Sequence, residues 1–510
     1  MPACSEAASI EKEYGKSTKK TEADMTAKKR FAVLLAACLT LAACSQTRGG
    51  GDAGESASGL TEAVLAEEAE TEAPELTLSE RTGVPEGKDF GGWNFNALVY
   101  TNANWGWDEI VYDELTGESL NDAFYNRNLL AESLLNIVIT QTARDAGSLP
   151  GLFKSSVTAG DNAYAAGWLR QKEAAGCAMS NLCLDLNDLE TVDLSHPWWD
   201  YHSVEDTTMG GKNYLVASDI SIADKDAIWV IYFDKQNLED VGLESPYDLV
   251  DSGRWTQDKM MEMMDAAVMD LNGDGKMGMK DRWGLLTHSE NFAASWLAAG
   301  EKIVSLNEEG LPEASYENER FYNVWDKTLK LMKSDSCYYR DIGFISSGLR
   351  DGYTLFATEV IAFLRVYRVN ERDFGVIPMP KYEESQKDYH TYVAEGTGLM
   401  IVPKTTDDTA RLGMTLEILG ATGQDSILTA YYDVCIKTRD SRDEDSGRML
   451  DICFTTRCYD LGLMFNWGSV VSTLKDTAPD NLSKVFASTR KGFRKNMAKA
   501  FESLGIETGD

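Results

Sequence analysis

Asp270, Asn272, Asp274 and Asp281 place oxygen-bearing side chains at positions 1, 3, 5 and 12 of one short stretch, with Gly275 at position 6. A hard divalent cation needs several oxygens around it, and a sharp turn at the sixth residue lets a single loop deliver most of them. Lys276, at position 7, would contribute its backbone carbonyl; Gly278 offers only a water, and Asp281 is one carbon shorter than the usual Glu. The spacing predicts a calcium loop of EF-hand type with weak affinity, on the order of 10⁻⁴–10⁻³ M. Its expected role is structural Ca²⁺ binding, pinning a loop after a Met-rich helix, because nothing catalytic clusters around it. No other cofactor is called for.

Elsewhere the residue types argue against catalysis. There are four histidines (His196, His202, His288 and His390), too few to favour a metallohydrolase. Neither a Gly-x-Ser-x-Gly elbow nor a His-Glu-x-x-His helix is present. Gly15-Lys16-Ser17-Thr18 is half of a phosphate-binding loop, with Ile10 where the first glycine should stand. Cys177, Cys183, Cys337, Cys435, Cys453 and Cys458 lack zinc spacing, and sequence does not choose among their possible pairings; buried free thiols are the plain reading. No catalytic residue is assigned.

The elements that would position such groups follow from patterning. From Met25, read as the true start, Lys28-Lys29-Arg30 precede the apolar run Phe31 to Leu41 and then Ala42-Ala43-Cys44. That is a basic segment, a short membrane-entering segment and a small-residue cleavage site. The Leu-Ala-Ala-Cys sequence resembles the lipobox of bacterial lipoproteins, which implies lipidation at Cys44 and removal of residues 1–43. Residues 44–88 are rich in Gly, Ser, Ala, Thr and Glu and read as a flexible acidic tether. An extracytoplasmic protein anchored to the cell membrane is the expectation. The 510-residue chain is too long for one core and carries a net charge of −33, which repels phosphate backbones and excludes nucleic acid as a partner.

Beyond the tether, strands alternate with helices. Phe95 to Tyr100 reads as a strand, Ser119 to Leu130 as a helix and Asn136 to Thr140 as a second strand. Ile228 to Phe233 is a continuous apolar run, expected of a strand covered on both faces. Thr256 is a plausible N-cap for the Met-rich helix. Val360 to Leu364 and Gly398 to Val402 read as further strands, Phe374 to Pro380 as a crossing segment, and the tail from Asp425 as mostly helical. The pattern predicts an α/β fold built on parallel sheets.

Several segments, in order, resemble the extracellular solute-binding proteins of ABC importers, in their large sugar-binding group. They are Ile231-Tyr232-Phe233-Asp234-Lys235 with Val241-Gly242-Leu243 and Trp255-Thr256, then Asp351 to Leu364 with Thr358 at the usual Gly, then Phe374 to Pro380. The resemblance spans residues 90–505 and implies a two-lobed, periplasmic-binding-protein-like (type II) fold with an interlobe cleft. Lobe 1 would comprise 89–224 and 390–424, and lobe 2 225–389 and 425–510. A sugar, taken as an oligosaccharide, would be held between the lobes and delivered to ABC permease subunits by a monomer.

Sugar recognition calls for aromatic faces and planar polar groups. Trp105 and Trp107, with Asn102 and Asn104, follow the first strand where the resemblance places a cleft-facing loop. Arg365 and Tyr367 follow the strand at Val360, Glu395 lies where the chain returns, and Trp467 lies in the tail. Arg170 ends a strand and Asp219 lies near the first crossing; Trp198 and Trp199 are expected to pack locally. Two other classes compete: a surface glycoside hydrolase, which needs paired carboxylates across a cleft, and a sugar-sensing module without transport.

Overall fold

A computed structural model describes residues 76–101, 109–339, 345–367, 371–432, 443–474 and 477–507. The leader, Cys44 and most of the tether lie outside these residues. Two mixed sheets flanked by helices form the α/β architecture. The first is built from β1 (Trp93–Tyr100), β2 (Ile137–Arg144), β3 (Ala166–Arg170) and, much later, β12 (Gly398–Ile401), in the order β12-β3-β1-β2. The second contains β4 (Trp229–Asp234), β5 (Trp283–Thr287), β8 (Cys337–Tyr339), β9 (Thr354–Val360) and β10 (Phe374–Ile377), in the order β10-β4-β9-β5-β8. A hairpin of β6 (Val304–Leu306) and β7 (Pro312–Ala314), and a short pair of β11 (Thr391–Tyr392) with β13 (Arg457–Cys458), complete the strands.

Every residue of β4 is buried, as its unbroken apolar run requires. The preceding crossing and the following helix are sharply punctuated: the Asp234 side chain accepts from Asn237 N and caps the helix Lys235–Val241. Thr256 caps Gln257–Ala267 in the same way, accepting from Lys259 N.

The sheets are not purely parallel, which corrects the expectation. β1 runs parallel to β2 and β3, and β5 to β8 and β9, while β12 is antiparallel to β3 and β4 is antiparallel to β9 and β10. The cause is the route of the chain. It leaves the first sheet beside β12, where Val216 bridges Met400, and enters the second as β4; it returns from β10 through β11 to β12. The two strands that begin at a crossing therefore enter their sheets from the edge at which the others leave. The strand read at Val360 to Leu364 is displaced: β9 ends at Val360, and residues 361–367 are helical turns.

The crossings are tied to each other and to the helices. Ile228 bridges Val393, and Ala394 N donates to Ala227 O. The buried Arg127 guanidinium, on helix Ser119–Leu135, donates to Ile220 O and Leu419 O. At the end of helix Thr409–Gly423, a Cβ on Gly423 would lie 2.1 Å from Asp219 O, so only glycine permits this approach to the first crossing. The tail helix Leu482–Leu504 touches both sides: Phe486 packs on Tyr316, and Leu504 O accepts from Tyr214 Oη.

Candidate functional site: a cleft at the strand ends

The parallel strands β1, β2 and β3 end together at Tyr100, Arg144 and Arg170; β5 and β9 end together at Thr287 and Val360. In open α/β sheets, crevices form outside such carboxyl ends. Two adjoining cavities, of about 500 and 290 Å³, open there. Tyr100, Thr101, Ala146, Arg170 and Glu173 line the larger, and Phe292, Trp296, Trp325, Tyr392 and Asn466 the smaller; Lys172, Glu290 and Glu395 border both. Residues from both sheets thus meet across one space.

Local structure fixes each group. The fully buried β5 delivers the turn His288-Ser289-Glu290, from which helix Asn291–Ala298 starts, and every residue of that helix is buried. Phe292 stacks on Trp325 with ring centroids 5.4 Å apart, and Trp296 lies 6.0 Å from the same ring. On the returning crossing, Tyr392 Oη accepts from Glu395 N at 2.9 Å, and Tyr100 Oη donates to Gly396 O at 2.7 Å. These bonds hold Glu395 where Lys172 pairs with it. Arg170 pairs with Glu173 on the next turn.

Burial pushes the Glu290 carboxyl up to about 7, with Glu395 and Glu359 adding repulsion and His288 and Lys172 opposing it. Three residues that line the smaller cavity each hold a buried polar atom without a hydrogen-bond partner among the described residues: Glu290 Oε2, Trp296 Nε1 and Asn466 Oδ1. Buried polar atoms left this way carry a desolvation cost that a ligand with matching groups removes. Beneath them, His288 Nε2 and Glu359 Oε2 lie 3.8 Å apart, with the Trp229 ring against the imidazole.

Among the sequence candidates, Arg170 and Glu395 come together in this cleft. Asn102, Asn104, Trp105 and Trp107 lie outside the described residues. Asp219 borders a separate cavity of about 820 Å³ with His196, Trp199, Lys225 and Arg457, beside the first crossing. There Lys225 pairs with Asp219 and Asp224, and Arg457 with Asp200 and Asp224. Asp219 is therefore part of a buried ionic network at the crossing.

Three candidates do not line this cleft. Arg365 is held bidentately by Asp226, which Tyr431 Oη also bonds. Tyr367 is fully buried, 4.8 Å edge-on to Tyr232 and packed on Phe374. Trp467 is 1% exposed and stacked on Phe465; its neighbour Asn466, in the left-handed region at φ 42°, reaches the cavity instead. Trp198 and Trp199 are buried, and each donates its indole N–H to the carboxylate of Glu417, distant in sequence. Sequence reading missed Lys172, Glu290, Trp296 and Tyr392. The available signal was the polar cluster Thr287 to Asn291 directly after the apolar run of β5.

The loop at Asp270 adopts the turn its spacing demands. Gly275 has φ 75°, and Asp270 accepts from Gly273 N and Gly275 N, both at 2.7 Å. Asp281, fully buried, accepts from Leu271 N and Gly278 N. Among the described residues, no three His, Cys, Asp or Glu side chains gather tightly enough to hold a metal ion by themselves. The donor set fits calcium only with Asn272 and the Lys276 carbonyl included.

The arrangement of sheets and cleft has relatives among solved structures. UgpB from Mycobacterium tuberculosis, in complex with glycerophosphocholine, is 13% identical with a TM-score of 0.54, over 80% of this chain and 99% of that one. The cyclic α-maltosyl-1,6-maltose binding protein from Arthrobacter globiformis is 12% identical at a TM-score of 0.51, over 81% and 98%. The ABC substrate-binding protein Lmo0181 from Listeria monocytogenes, in complex with cycloalternan, is 12% identical at 0.50, over 82% and 100%. The fold is that of the ABC solute-binding proteins. No family model and no curated protein sequence matches the chain. The strand-end cleft lies between the two sheets, and Lys172, Glu290 and Glu395 border both of its cavities. Among the described residues no helix is long and apolar enough to cross a membrane.

Proposed function

We propose that the protein is the extracytoplasmic binding subunit of an ABC importer and captures a carbohydrate, an oligosaccharide, in the strand-end cleft. One observation carries this reading: one cavity is lined by aromatic residues and by two residues that each hold a buried, unpartnered polar atom, the donor Trp296 Nε1 and the acceptor Glu290 Oε2. Sugar rings present C–H faces and hydroxyls together, which is the complement of such a wall. Lysine-paired Glu395 and the two lobes give ligand contacts that exist only when the lobes are together, so ligand favours the closed state. A separate permease would then accept that state. Lipidation at Cys44, with residues 44–88 as tether, would keep the monomer at the outer membrane face, and the loop at Asp270 would take calcium as a structural ion.

Thermal-shift screening against neutral oligosaccharides tests the reading. A captured sugar at one hundred times its Kd raises stability by about 2.7 kcal/mol; a panel without any shift contradicts it. The hydrolase reading draws on one observation, the elevated Glu290 carboxyl in the same cavity as Glu395. Capture without turnover predicts that oligosaccharides incubated with the protein release no new reducing ends.

A further inference from the structure

Charge in the cleft does not balance. Arg170 is matched by Glu173 and Lys172 by Glu395, whereas Glu290 has no ion pair among the described residues and its Oε2 has no hydrogen bond. The charged and titratable groups facing it are His288 on its own turn, Glu359 at the end of β9, Glu395 on the returning crossing and Lys172 after β3. Among the described residues, the basic group paired with Glu359 is His288, at 3.8 Å, and its other oxygen accepts from Val360 N, so carboxylates outnumber cations here. The rings of Phe292, Trp296, Trp325 and Tyr392 line the same cavity as Glu290, and aromatic rings attract cations. Trp296 is 3% exposed, and its indole N–H lacks an acceptor.

A ligand unit that completes this site must bring positive charge to the carboxylate and an oxygen acceptor to the indole. A neutral sugar supplies only the second, and a simple amine or metal ion only the first. We infer that the cleft selects a saccharide bearing a free ammonium group, an amino sugar, with the ammonium on Glu290 and a ring or hydroxyl oxygen on Trp296. This deepens the carbohydrate reading and rests on it.

Titration calorimetry on the full chain tests it, using glucosamine oligosaccharides, their N-acetylated counterparts and cello-oligosaccharides of equal length. At pH 7.0, where more of the sugar amine is ammonium, the amine form binds about tenfold tighter than either of the others, the affinity step of one ion pair. At pH 5.5, where the Glu290 carboxyl, poised at about 7, has taken up its proton, that preference falls by about tenfold. Glu290→Gln erases the preference at both pH values while the hydroxyl form still binds, and Trp296→Phe weakens all three alike. Equal affinity for the three sugars, or a preference that survives Glu290→Gln, overturns the inference and leaves carbohydrate capture standing. Failure of every glycan to bind overturns both.

Discussion

Glu290 is the residue on which the site's electrostatics turn. Its carboxyl is raised to about 7 from an ordinary value of 4.5 because burial disfavours the charged form. In the unfolded chain it ionises near its ordinary value, so the fold is progressively penalised as pH rises from about 4.5 to 7, and the penalty is constant above that. The native protein should therefore gain stability from Glu290→Gln at pH 7.5, by up to about 3 kcal/mol, and gain little at pH 4.5. Urea denaturation of both proteins at the two pH values checks this; equal gains at both would mean that burial does not control the group. The cysteines are the opposite case. Cys177, Cys337, Cys453 and Cys458 are buried with thiols pushed up to about 12, where a thiolate is scarce and reactivity is low.

At the scale of elements, the loop from Asp270 to Asp281 makes a claim that can be separated from the cleft. If its carboxylates and the Lys276 carbonyl hold calcium, a chelator lowers the melting temperature and added calcium restores it, by mass action. An unchanged melting curve would assign the turn entirely to the hydrogen bonds that the Asp270 and Asp281 carboxylates accept from backbone N–H groups. The same scale shows what sequence patterning can carry. β12 is apolar throughout, β4 up to its last residue, Asp234, and β1 from Ala97 onward, and they are legible. β9 is not, because Thr354, Thr358 and Glu359 interrupt its apolar run. In the fold Thr358 bonds Thr287 across the sheet at 2.6 Å, and Glu359 is buried beside His288, so tertiary partners make these polar residues tolerable. The loss of the site has a related cause. Glu290 and Trp296 owe their positions to β5, a five-residue strand with no alternation to mark it. Arg170 and Glu395 were legible because each borders a strand that the pattern reveals, whereas Tyr367 and Trp467 looked like cleft aromatics only because sequence does not report depth.

For the whole molecule, direction of travel explains both sheet and site. Strands that leave at the shared edge carry Tyr100, Arg170 and Glu290 to the cleft, and strands that begin at a crossing run the other way. Buried ion pairs occupy the crossing itself, with Lys225 between Asp219 and Asp224 and Arg365 on Asp226. Such networks specify one arrangement of the chain at the point where two lobes join. The proposed lipid anchor at Cys44 has its own test: the protein expressed in bacteria should partition into the detergent phase, and Cys44→Ser should move it to the aqueous phase. Aqueous partition of both forms would remove the anchor from the account. The central claim is that carbohydrate sits at the ends of β1, β3 and β5. A crystal structure with a sugar selected by binding should show it against Trp296, with a polar group on Glu290. Density in the cavity beside Asp219 and Trp199, with the strand-end cleft unchanged, would contradict it.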